Sequence, residues 1–349
     1  MFSRKSQHPR NGKYAGETFK SAILTRTLES SEHSSNSSTV LWSEAKAVEI
    51  VGRYHISSVA FLSDGKHVVS GGEEGKIRRW RTEDGKQVGK PMDAGSAVYN
   101  LAVSRNGKWI VGGMDNGKLA VWDAEDCRRL SGWRGHKDWV HAVDISPDGK
   151  RIASGSSDKT ASVWSLSTGQ RLLGPFEHDA RVIAAKFSPD GRLIATATWD
   201  RSVRVYDSCD GRLLVDVPVK VTNSLNQCLW TSNNKNLFTL STDGKINYID
   251  VSTGTTLFSW RIHNNYQPQC IALASDGTFI AVSAGSSVSF WDTTTHKQLR
   301  SVINYTVDVV SMAVSANDDL VIGGGEAITL QNIRDVRPSS YFTDVSTLA

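Results

Sequence analysis

The chain has 349 residues, of which 39% are hydrophobic and 22% charged, a composition typical of globular proteins that bury a sizeable core. Its formal net charge is +4, and six basic against three acidic side chains in residues 1–39 account for +3 of this charge. The other 310 residues are close to neutral and give no general electrostatic argument for nucleic acid or anionic membranes. The apolar runs are too short for a transmembrane helix, and four widely spaced cysteines predict neither a disulfide framework nor a zinc site.

Residues 1–39 form the first distinct segment, with 13 serine and threonine residues and scattered basic side chains. They carry too little apolar surface to build a core, so we expect a disordered tail. They also lack the apolar core of a secretory signal peptide. A basic, serine-rich and acid-poor start leaves phosphorylation or targeting as an alternative role for this tail.

A short phrase recurs from residue 64 onward: an Asp or Asn, followed in most copies by Gly and a basic residue, at intervals of 41 to 43 residues. The seven positions are Asp64, Asn106, Asp148, Asp190, Asn233, Asp276 and Asn317. A second recurrent position follows each of them by 14 to 16 residues: Trp80, Trp122, Trp164, Tyr206, Ile249, Trp291 and Gln331. Seven near-equal periods predict seven copies of one structural unit.

Each copy has the pattern of several short β-strands. In the third copy the strand-like runs are Val140–Ile145, Arg151–Gly155, Thr160–Trp164 and Gln170–Leu173, separated by turns rich in Gly, Asp and Ser. None of these runs has the 3.6-residue period of a helix. Because an open sheet exposes its edges to aggregation, a closed ring of such units is favoured. The sequence therefore predicts an all-β fold.

The repeats resemble those of WD40 proteins over roughly residues 40–335. The third copy carries the fullest motif, with Gly135-His136 before the first strand, Ser-Pro-Asp-Gly at the first turn, Asp158 at the second turn and Trp164 in the third strand. Residues 146–156 and 171–178 further resemble fungal WD40 arrays of the incompatibility and nucleotide-binding-receptor type. The resemblance implies a seven-bladed β-propeller, followed by a short tail at residues 336–349.

Closure of such a ring requires one strand from outside the repeats. The seventh copy ends near Ile333, before a fourth strand could follow it. The run Ala45–Val51 precedes the first full copy and has the composition of a lone outer strand. We therefore expect this run to complete the seventh blade and to fasten the two ends of the propeller together.

The WD40 resemblance also implies a buried, hydrogen-bonded tetrad of His, Ser or Thr, Asp and Trp within a blade. In the third copy these residues are His136, Ser154 (with Ser156 as the alternative), Asp158 and Trp164. In the fourth copy they are His178, Thr196 (with Thr198 as the alternative), Asp200 and Tyr206. The sixth and seventh copies have Gly285 and Gly325 in place of the Asp, so we expect those two blades to be less rigid.

A search for catalytic and cofactor-binding motifs finds none with a recognised mechanism. Gly pairs such as Gly71-Gly72 and Gly112-Gly113 recur at the repeat period, which marks them as parts of blades rather than phosphate-binding loops. His136 and His178 are in phase with the repeat, which favours structural roles over metal binding. We expect no enzyme activity, no cofactor and no metal.

Three positions of each repeat are expected to line one opening of the ring, namely those of Trp139, His141 and Ser157 in the third copy. The WD40 resemblance implies that this face binds peptides or protein segments. Aromatic and Arg side chains concentrate there on copies two to four, and these residue types are enriched at binding hot spots. We expect the binding residues, here called the aromatic arc, to be Tyr99, Asp115, Trp139, His141, Arg181 and Trp199. The alternative is that these aromatic side chains only pack on neighbouring loops.

The function that these patterns favour is a non-enzymatic scaffold that binds a protein or peptide, as a single propeller within a larger complex. One alternative is an RNA- or ribosome-associated factor, assisted by the basic tail. Another is an enzyme with a site in the central channel, for which His141 and Asp308 are the candidate residues. We expect a cytoplasmic location with the nucleus as the alternative, no membrane association, and no principal role for nucleic acid.

Overall fold

The computed structural model of the chain describes residues 48–51, 54–219, 221, 224–262, 268–299, 302–317 and 319–333. These residues form seven antiparallel sheets of four strands each and no helix. The prediction of an all-β, seven-bladed propeller is confirmed. The tails expected at residues 1–39 and 336–349 lie outside the described residues, as do residues 45–47 of the expected closing strand.

The strands are numbered in chain order and grouped into blades. The first strand, β1, is Val48–Val51. Blade 1 contains β2 (Ile56–Phe61), β3 (His67–Gly72), β4 (Lys76–Arg81) and β5 (Met92–Asp93). Blade 2 contains β6 (Val98–Val103), β7 (Trp109–Met114), β8 (Lys118–Asp123) and β9 (Arg129–Arg134). Blade 3 contains β10 (Val140–Ile145), β11 (Arg151–Ser156), β12 (Thr160–Ser165) and β13 (Arg171–Glu177).

The remaining blades repeat this order. Blade 4 contains β14 (Val182–Phe187), β15 (Leu193–Thr198), β16 (Ser202–Asp207) and β17 (Leu213–Pro218). Blade 5 contains β18 (Leu225–Trp230), β19 (Asn236–Ser241), β20 (Lys245–Asp250) and β21 (Thr255–Arg261). Blade 6 contains β22 (Pro268–Leu273), β23 (Phe279–Ala284), β24 (Ser287–Asp292) and β25 (Ile303–Asn304). Blade 7 contains β26 (Ser311–Val314), β27 (Asp319–Gly324), β28 (Ala327–Asn332) and, from the start of the chain, β1.

The recurrent Asp-Gly phrase forms the turn between the first and second strands of a blade. In blade 3 the carboxylate of Asp148 accepts a hydrogen bond from the N–H of Lys150 at 3.1 Å. Gly149 adopts a φ of +69°, which a residue with a Cβ adopts only at an energetic cost. The repeat spacing read from the sequence is therefore the spacing of these turns.

The outer strand of blade 3 is longer than its sequence pattern predicts. The expected strand ends at Leu173, whereas β13 continues to Glu177 through Gly174 and Pro175. Gly and Pro are turn signals, but Pro is tolerated in an edge strand because one side of that strand needs no N–H for pairing. Most side chains of β13 are exposed, while β11 is buried from Ile152 to Ser156, so the core lies around the inner strands.

The first strand closes the ring, as predicted. β1 pairs antiparallel with β28, and Ile50 lies opposite Ile328. Ile50 is 5% exposed and belongs to an apolar cluster that also contains Val59 and Val68 of blade 1. The innermost strand of blade 7 also contacts β2 of blade 1. Strand pairing and core packing therefore join the two ends of the propeller.

Neighbouring blades are also linked by hydrogen bonds between their innermost strands. The side-chain oxygen of Asn100 on β6 accepts a hydrogen bond from the N–H of Val143 on β10 at 3.0 Å. Equivalent bonds join Ser58 to Leu101, Asp144 to Phe187, Gln227 to Ile271, and Ser311 to Val59. Because the innermost strand is a sheet edge, these polar side chains pair backbone N–H groups that the sheet leaves free. The repeat pattern alone did not predict this series of links.

The structure brings the four proposed tetrad residues of blade 3 together. The indole N–H of Trp164 donates to the hydroxyl of Ser154 at 2.7 Å, and that hydroxyl lies 2.7 Å from Nε2 of His136. The other ring nitrogen, Nδ1 of His136, is 3.0 Å from the carboxylate of Asp158. Ser154 rather than Ser156 fills the second position, because the hydroxyl of Ser156 donates to the backbone of Asp138.

The Asp158 carboxylate is held in its charged form by its neighbours. Burial alone would raise its pKa, but hydrogen bonds from His136, Thr160 and the N–H of Lys137 outweigh burial and hold the pKa well below its usual range. A charged carboxylate can only accept hydrogen bonds, so Nδ1 of His136 is the donor, which fixes it as the protonated ring nitrogen. The chain from Trp164 to Asp158 is thus fully paired.

Blade 4 differs from the predicted tetrad. The Nδ1 of His178 accepts a hydrogen bond from Arg204 at 3.3 Å, and its Nε2 has no partner among the described residues. Asp200 instead accepts hydrogen bonds from the hydroxyls of Thr198 and Ser202. The alternative Thr198 therefore pairs with Asp200, but neither residue contacts the imidazole.

Besides Thr196 and Tyr206, which stand where blade 3 has Ser154 and Trp164, blade 4 differs at a further position of the third strand. Arg204 lies opposite Thr196 in the register of blade 4, where blade 3 has Ser162 opposite Ser154. Its guanidinium reaches the imidazole of His178 and the carboxylate of Asp216, the latter at 3.0 Å. Burial, together with this neighbouring cation, lowers the pKa of His178 to about 4. His178 is consequently neutral at pH 7. The ring of Tyr206, the last residue of the predicted tetrad, stacks on Phe176 with ring centroids 4.3 Å apart.

Gly285 and Gly325, which replace the turn Asp in blades 6 and 7, lie in tight turns with φ of +59° and +51°. A left-handed backbone at these positions favours Gly over Asp. The lower rigidity expected for these two blades stays a prediction.

Candidate protein-binding site

The positions expected to line one opening meet at the same end of the strands. In blade 3 the N–H of Ser157, which follows β11, donates to the carbonyl of Trp139, which precedes β10, at 2.9 Å. The same bond joins Trp199 to Arg181 at 3.0 Å in blade 4. In blade 2 it joins Asp115 to Ala97 at 3.1 Å. This backbone pairing brings two of the three predicted positions side by side in each of these blades.

The third predicted position lies on a β-bulge. The register between the two inner strands shifts between Val98 and Asn100 in blade 2 and between Val140 and Ala142 in blade 3. Tyr99 and His141 are the extra residues at these two shifts. A bulge leaves one residue out of the ladder and redirects its side chain. This local geometry places Tyr99 and His141 beside the residues that precede the innermost strands.

Three ring systems from blades 2 and 3 contact one another. Tyr99 stacks on Trp139 with ring centroids 4.9 Å apart and an interplanar angle of 24°. His141 meets Tyr99 edge-on at 5.7 Å and Trp139 edge-on at 6.1 Å. Offset stacking and edge-to-face contacts are the favoured geometries of such rings. The three side chains therefore form one preorganised surface rather than separate exposed rings.

A second aromatic unit lies on blade 4. The guanidinium carbon of Arg181 lies 3.9 Å from the centroid of the Trp199 ring, within the range of a cation–π interaction. Arg181 is exposed, and it forms no ion pair with any residue that the structure describes. Its charge also acts on the imidazole of His141 on the neighbouring blade 3.

Exposure separates the indoles of the arc from those of the core. Trp139 is 44% exposed and Trp199 is 43% exposed, whereas Trp164, at the repeat position, is 4% exposed. The fold therefore does not need the arc indoles to fill its core. Half-exposed aromatic side chains that touch one another mark a surface suited to association with a partner.

Charged groups surround the aromatic cluster. The hydroxyl of Ser96 donates a hydrogen bond to the carboxylate of Asp115. Burial, with the nearby carboxylates of Asp115 and Glu73, raises the pKa of Tyr99. Burial, with the nearby Arg181, lowers the pKa of His141 in spite of an opposing effect of Asp138. At neutral pH the arc therefore presents a phenol and a neutral imidazole between acidic groups and one guanidinium.

Three contributors to this surface were outside the six predicted binding residues, although Ser157 stands at one of the predicted lining positions. Asp138 accepts a hydrogen bond from the N–H of Trp139 at 2.8 Å and orients the loop that carries this indole. Ser157 is 2.6 Å from Nε2 of His141 and fixes the imidazole. Ser96 holds Asp115. Asp138 and Ser96 fall in the short loops before β10 and β6, and their proximity to predicted residues was the available sequence signal.

Other repeat positions contribute less to the site. Ile183 is the bulge residue of blade 4 and Val310 lies before β26. Asp308, the acid considered for a catalytic role, is exposed on blade 7. The side chains of Asn226, Gln267 and Gln269 lie outside the described part of the structure.

Among the described residues, no group of three or more His, Cys, Asp or Glu side chains has the arrangement of a metal site. The same residues contain no helix long and apolar enough to cross a membrane.

Comparison with known proteins decides the family. A family model described as "IFT122 first beta-propeller" matches residues 97–335, which is more than half of the chain. A second model, described as "WD domain, G-beta repeat", matches residues 49–81. The chain belongs to the WD40 β-propeller family. WD40 propellers are generally non-enzymatic scaffolds for protein interaction, and the aromatic arc lies inside the larger matched range.

A human relative matches a smaller part of this WD40 propeller. The chain is 34% identical to the U3 small nucleolar RNA-associated protein 4 homolog of Homo sapiens over 95 residues. The match covers 24% of this chain and 14% of the relative. The chain therefore matches about one seventh of that protein's length.

Proposed function

We propose that this WD40 propeller is a non-enzymatic scaffold that binds a protein or peptide segment through the aromatic arc. The observation that carries the proposal is the pair of half-exposed indoles, Trp139 and Trp199, which stand outside the core positions of the repeat. Each is held by a neighbour, Trp139 by Tyr99 and Trp199 by Arg181. These contacts support a role in binding, since the rings are rigid and exposed at once.

Preorganisation is what makes this surface suitable for binding. A partner that orders a flexible side chain loses roughly 0.5–1.5 kcal/mol for each one immobilised. In the arc the rings are already ordered by stacking, and their apolar faces remain accessible. Trp, Tyr and Arg at the centre of an interface commonly cost about 2 kcal/mol or more when truncated to Ala. Two such truncations are therefore expected to abolish a moderate-affinity complex.

Affinity purification followed by quantitative mass spectrometry tests this proposal on the full chain. The test variant is Trp139→Ala with Trp199→Ala. The matched control is Leu257→Ala with Phe258→Ala, which removes two side chains exposed by 46% and 54% on the outer strand of blade 5. We expect a specific set of proteins to be lost with the test variant and kept with the control. Retention of every partner by the folded test variant would contradict the proposal.

A second candidate function is an RNA- or ribosome-associated factor. The observation that favours it is the similarity to a human protein whose name describes association with U3 small nucleolar RNA. The charge distribution opposes direct RNA binding by the propeller, because residues 40–349 are nearly neutral. A basic tail at residues 1–39 supplies the main excess of positive charge.

A salt titration separates the two candidates. Binding of a fluorescent single-stranded RNA to the full chain is measured from low to physiological salt by anisotropy. Phosphate contacts release counterions. If the chain is an RNA-associated factor, its affinity for this RNA should therefore fall steeply as the salt concentration rises. The scaffold proposal predicts no binding of that kind at physiological salt. Tight binding that is lost with Trp139→Ala and Trp199→Ala would make RNA the ligand of the arc.

A further inference from the structure

The two ends of the aromatic arc carry opposite charges. At one end, Asp115 on blade 2 is held by the hydroxyl of Ser96 and by the backbone of Ala97. The exposed Glu73 of blade 1 lies at the equivalent repeat position, and both carboxylates act on Tyr99. Neither Asp115 nor Glu73 forms an ion pair within the described structure. This end therefore presents two uncompensated carboxylates beside an aromatic face.

The other end is positive. Arg181 stacks on Trp199, and its charge has no acidic partner among the described residues. Stacking uses the face of the guanidinium and leaves the N–H groups at its edge available, and that edge matches a carboxylate in a bidentate geometry. His141 adds no positive charge at neutral pH, because burial and Arg181 itself lower its pKa. The carboxylate of Asp138 also acts on His141 and accepts a hydrogen bond from the N–H of Trp139, but it forms no ion pair with Arg181 in the described structure.

Tyr99, Trp139 and His141 bridge these two ends. The Tyr99–Trp139 stack offers aromatic faces beside the carboxylates, an arrangement that suits a Lys or Arg side chain through cation–π and ionic contacts. Arg181 repels such a side chain and attracts a carboxylate. A ligand with only one sign of charge would therefore meet repulsion at one end of the arc.

We infer that the arc selects a peptide segment carrying both a basic and an acidic side chain, the basic one against Tyr99 and Asp115 and the acidic one against Arg181. The inference rests on the proposed function and goes beyond it by naming the chemistry of the bound segment. It also assigns a distinct partner charge to each of two residues on different blades.

The test begins with a random 12-residue peptide library displayed on phage and selected on the full chain. Counter-selection uses the variant Trp139→Ala with Trp199→Ala, so that only arc-dependent peptides are kept. We expect the retained peptides to contain one basic and one acidic residue at a consistent separation. Failure to retain any peptide overturns the proposed function and this inference together. Retained peptides that lack one of the two charges overturn the inference alone.

A double-mutant cycle then assigns each charge. The most enriched peptide is synthesised with its basic residue or its acidic residue changed to Gln, and affinities are measured by fluorescence anisotropy. On the wild-type chain each change should weaken binding about fivefold. On Asp115→Asn the loss for the basic residue should disappear while the loss for the acidic residue remains. On Arg181→Gln the pattern should be reversed.

Two control variants guard against general charge effects. Arg171→Gln removes an exposed guanidinium that also lies over an indole, that of Trp164, but on the outer strand of blade 3. Asp210→Asn removes an exposed turn carboxylate between β16 and β17. Neither control should change the affinity of the peptide. The inference would be overturned by equal effects of the control and arc variants. It would also be overturned if Asp115→Asn removed the loss for the acidic peptide residue, or Arg181→Gln the loss for the basic one.

Discussion

Trp164 donates its indole N–H to the hydroxyl of Ser154 in the core of blade 3. Blade 1 has the same contact between Trp80 and Ser70 at 2.8 Å, but no His reaches that serine among the described residues. In blade 2 the serine is replaced by Gly112, and the indole N–H of Trp122 has no partner within the described structure. The indole N–H at this repeat position therefore has three different environments. Its partner is a serine that also contacts a histidine in blade 3 and a serine alone in blade 1, and it has no partner within the described structure in blade 2.

The first prediction compares two serines at this position. Ser154→Ala leaves both the Trp164 N–H and Nε2 of His136 without a partner, whereas Ser70→Ala leaves only the Trp80 N–H. Each buried group left unpaired costs about 1–3 kcal/mol. We expect urea denaturation to show a loss of about 2–6 kcal/mol for Ser154→Ala and about half of that for Ser70→Ala. Equal losses would show that His136 does not depend on Ser154.

The second prediction concerns ring closure by β1. Deletion of residues 1–39 should leave the melting temperature nearly unchanged, while deletion of residues 1–52 removes β1 and should lower it sharply. A point variant avoids the change in chain length. Ile50→Ala should lower the free energy of unfolding by about 2–4 kcal/mol, because its side chain is buried between blades 7 and 1.

The control for closure is Leu213→Ala on the outer strand of blade 4, where the side chain is 47% exposed. It should cost less than about 1 kcal/mol. Equal melting temperatures for the two deletions, or equal costs for Ile50→Ala and Leu213→Ala, would show that β1 does not fasten the ring.

The third prediction is a pH dependence caused by His178. Its pKa is about 4 in the folded chain against an ordinary 6.5, so the unfolded chain binds a proton first as pH falls. The contribution of His178 to the free energy of unfolding is therefore constant above pH 6.5. Between pH 6.5 and 4 it decreases by up to about 3 kcal/mol. Below that range, protonation of Asp158, whose pKa is depressed in the fold, removes further stability.

Chemical denaturation between pH 7 and pH 4 measures this effect. His178→Asn should reduce the fall in the free energy of unfolding between pH 7 and pH 4, whatever its effect on stability at pH 7. His55→Asn removes an exposed imidazole and is the matched control, which should keep the wild-type slope. A wild-type slope in His178→Asn would contradict the assignment.

The fold could be predicted from the sequence because the same pattern of turn and strand residues recurs along the chain. A turn such as Asp148-Gly149 requires a left-handed backbone, and six copies of that turn in the described structure have this backbone at the repeat spacing. The closing strand followed from the missing fourth strand after Ile333. The links between blades, such as Asn100 to Val143, depend on polar side chains whose type changes from blade to blade, so the recurrent Asp-Gly and Trp positions did not reveal them.

The tetrads show that the position of a residue in the repeat does not by itself predict its hydrogen-bond partners. His178 and Asp200 occupy the right positions in blade 4, yet Arg204 in the neighbouring strand takes the imidazole as its acceptor. The position of His178 in the repeat therefore does not determine the partner of its imidazole. In the arc, phase identified Tyr99 and Trp139, but their stacking depends on a β-bulge that no residue type in the sequence marks.

The most direct measurement of the central claim is the dissociation constant of the strongest protein partner recovered with the wild-type chain, determined by calorimetry with purified proteins. Trp139→Ala with Trp199→Ala should weaken this complex at least tenfold, while the folded state keeps its wild-type melting temperature within a few degrees. Leu257→Ala with Phe258→Ala should bind as the wild type does. An unchanged dissociation constant for the folded Trp139 and Trp199 variant would contradict the claim that the aromatic arc is the binding surface.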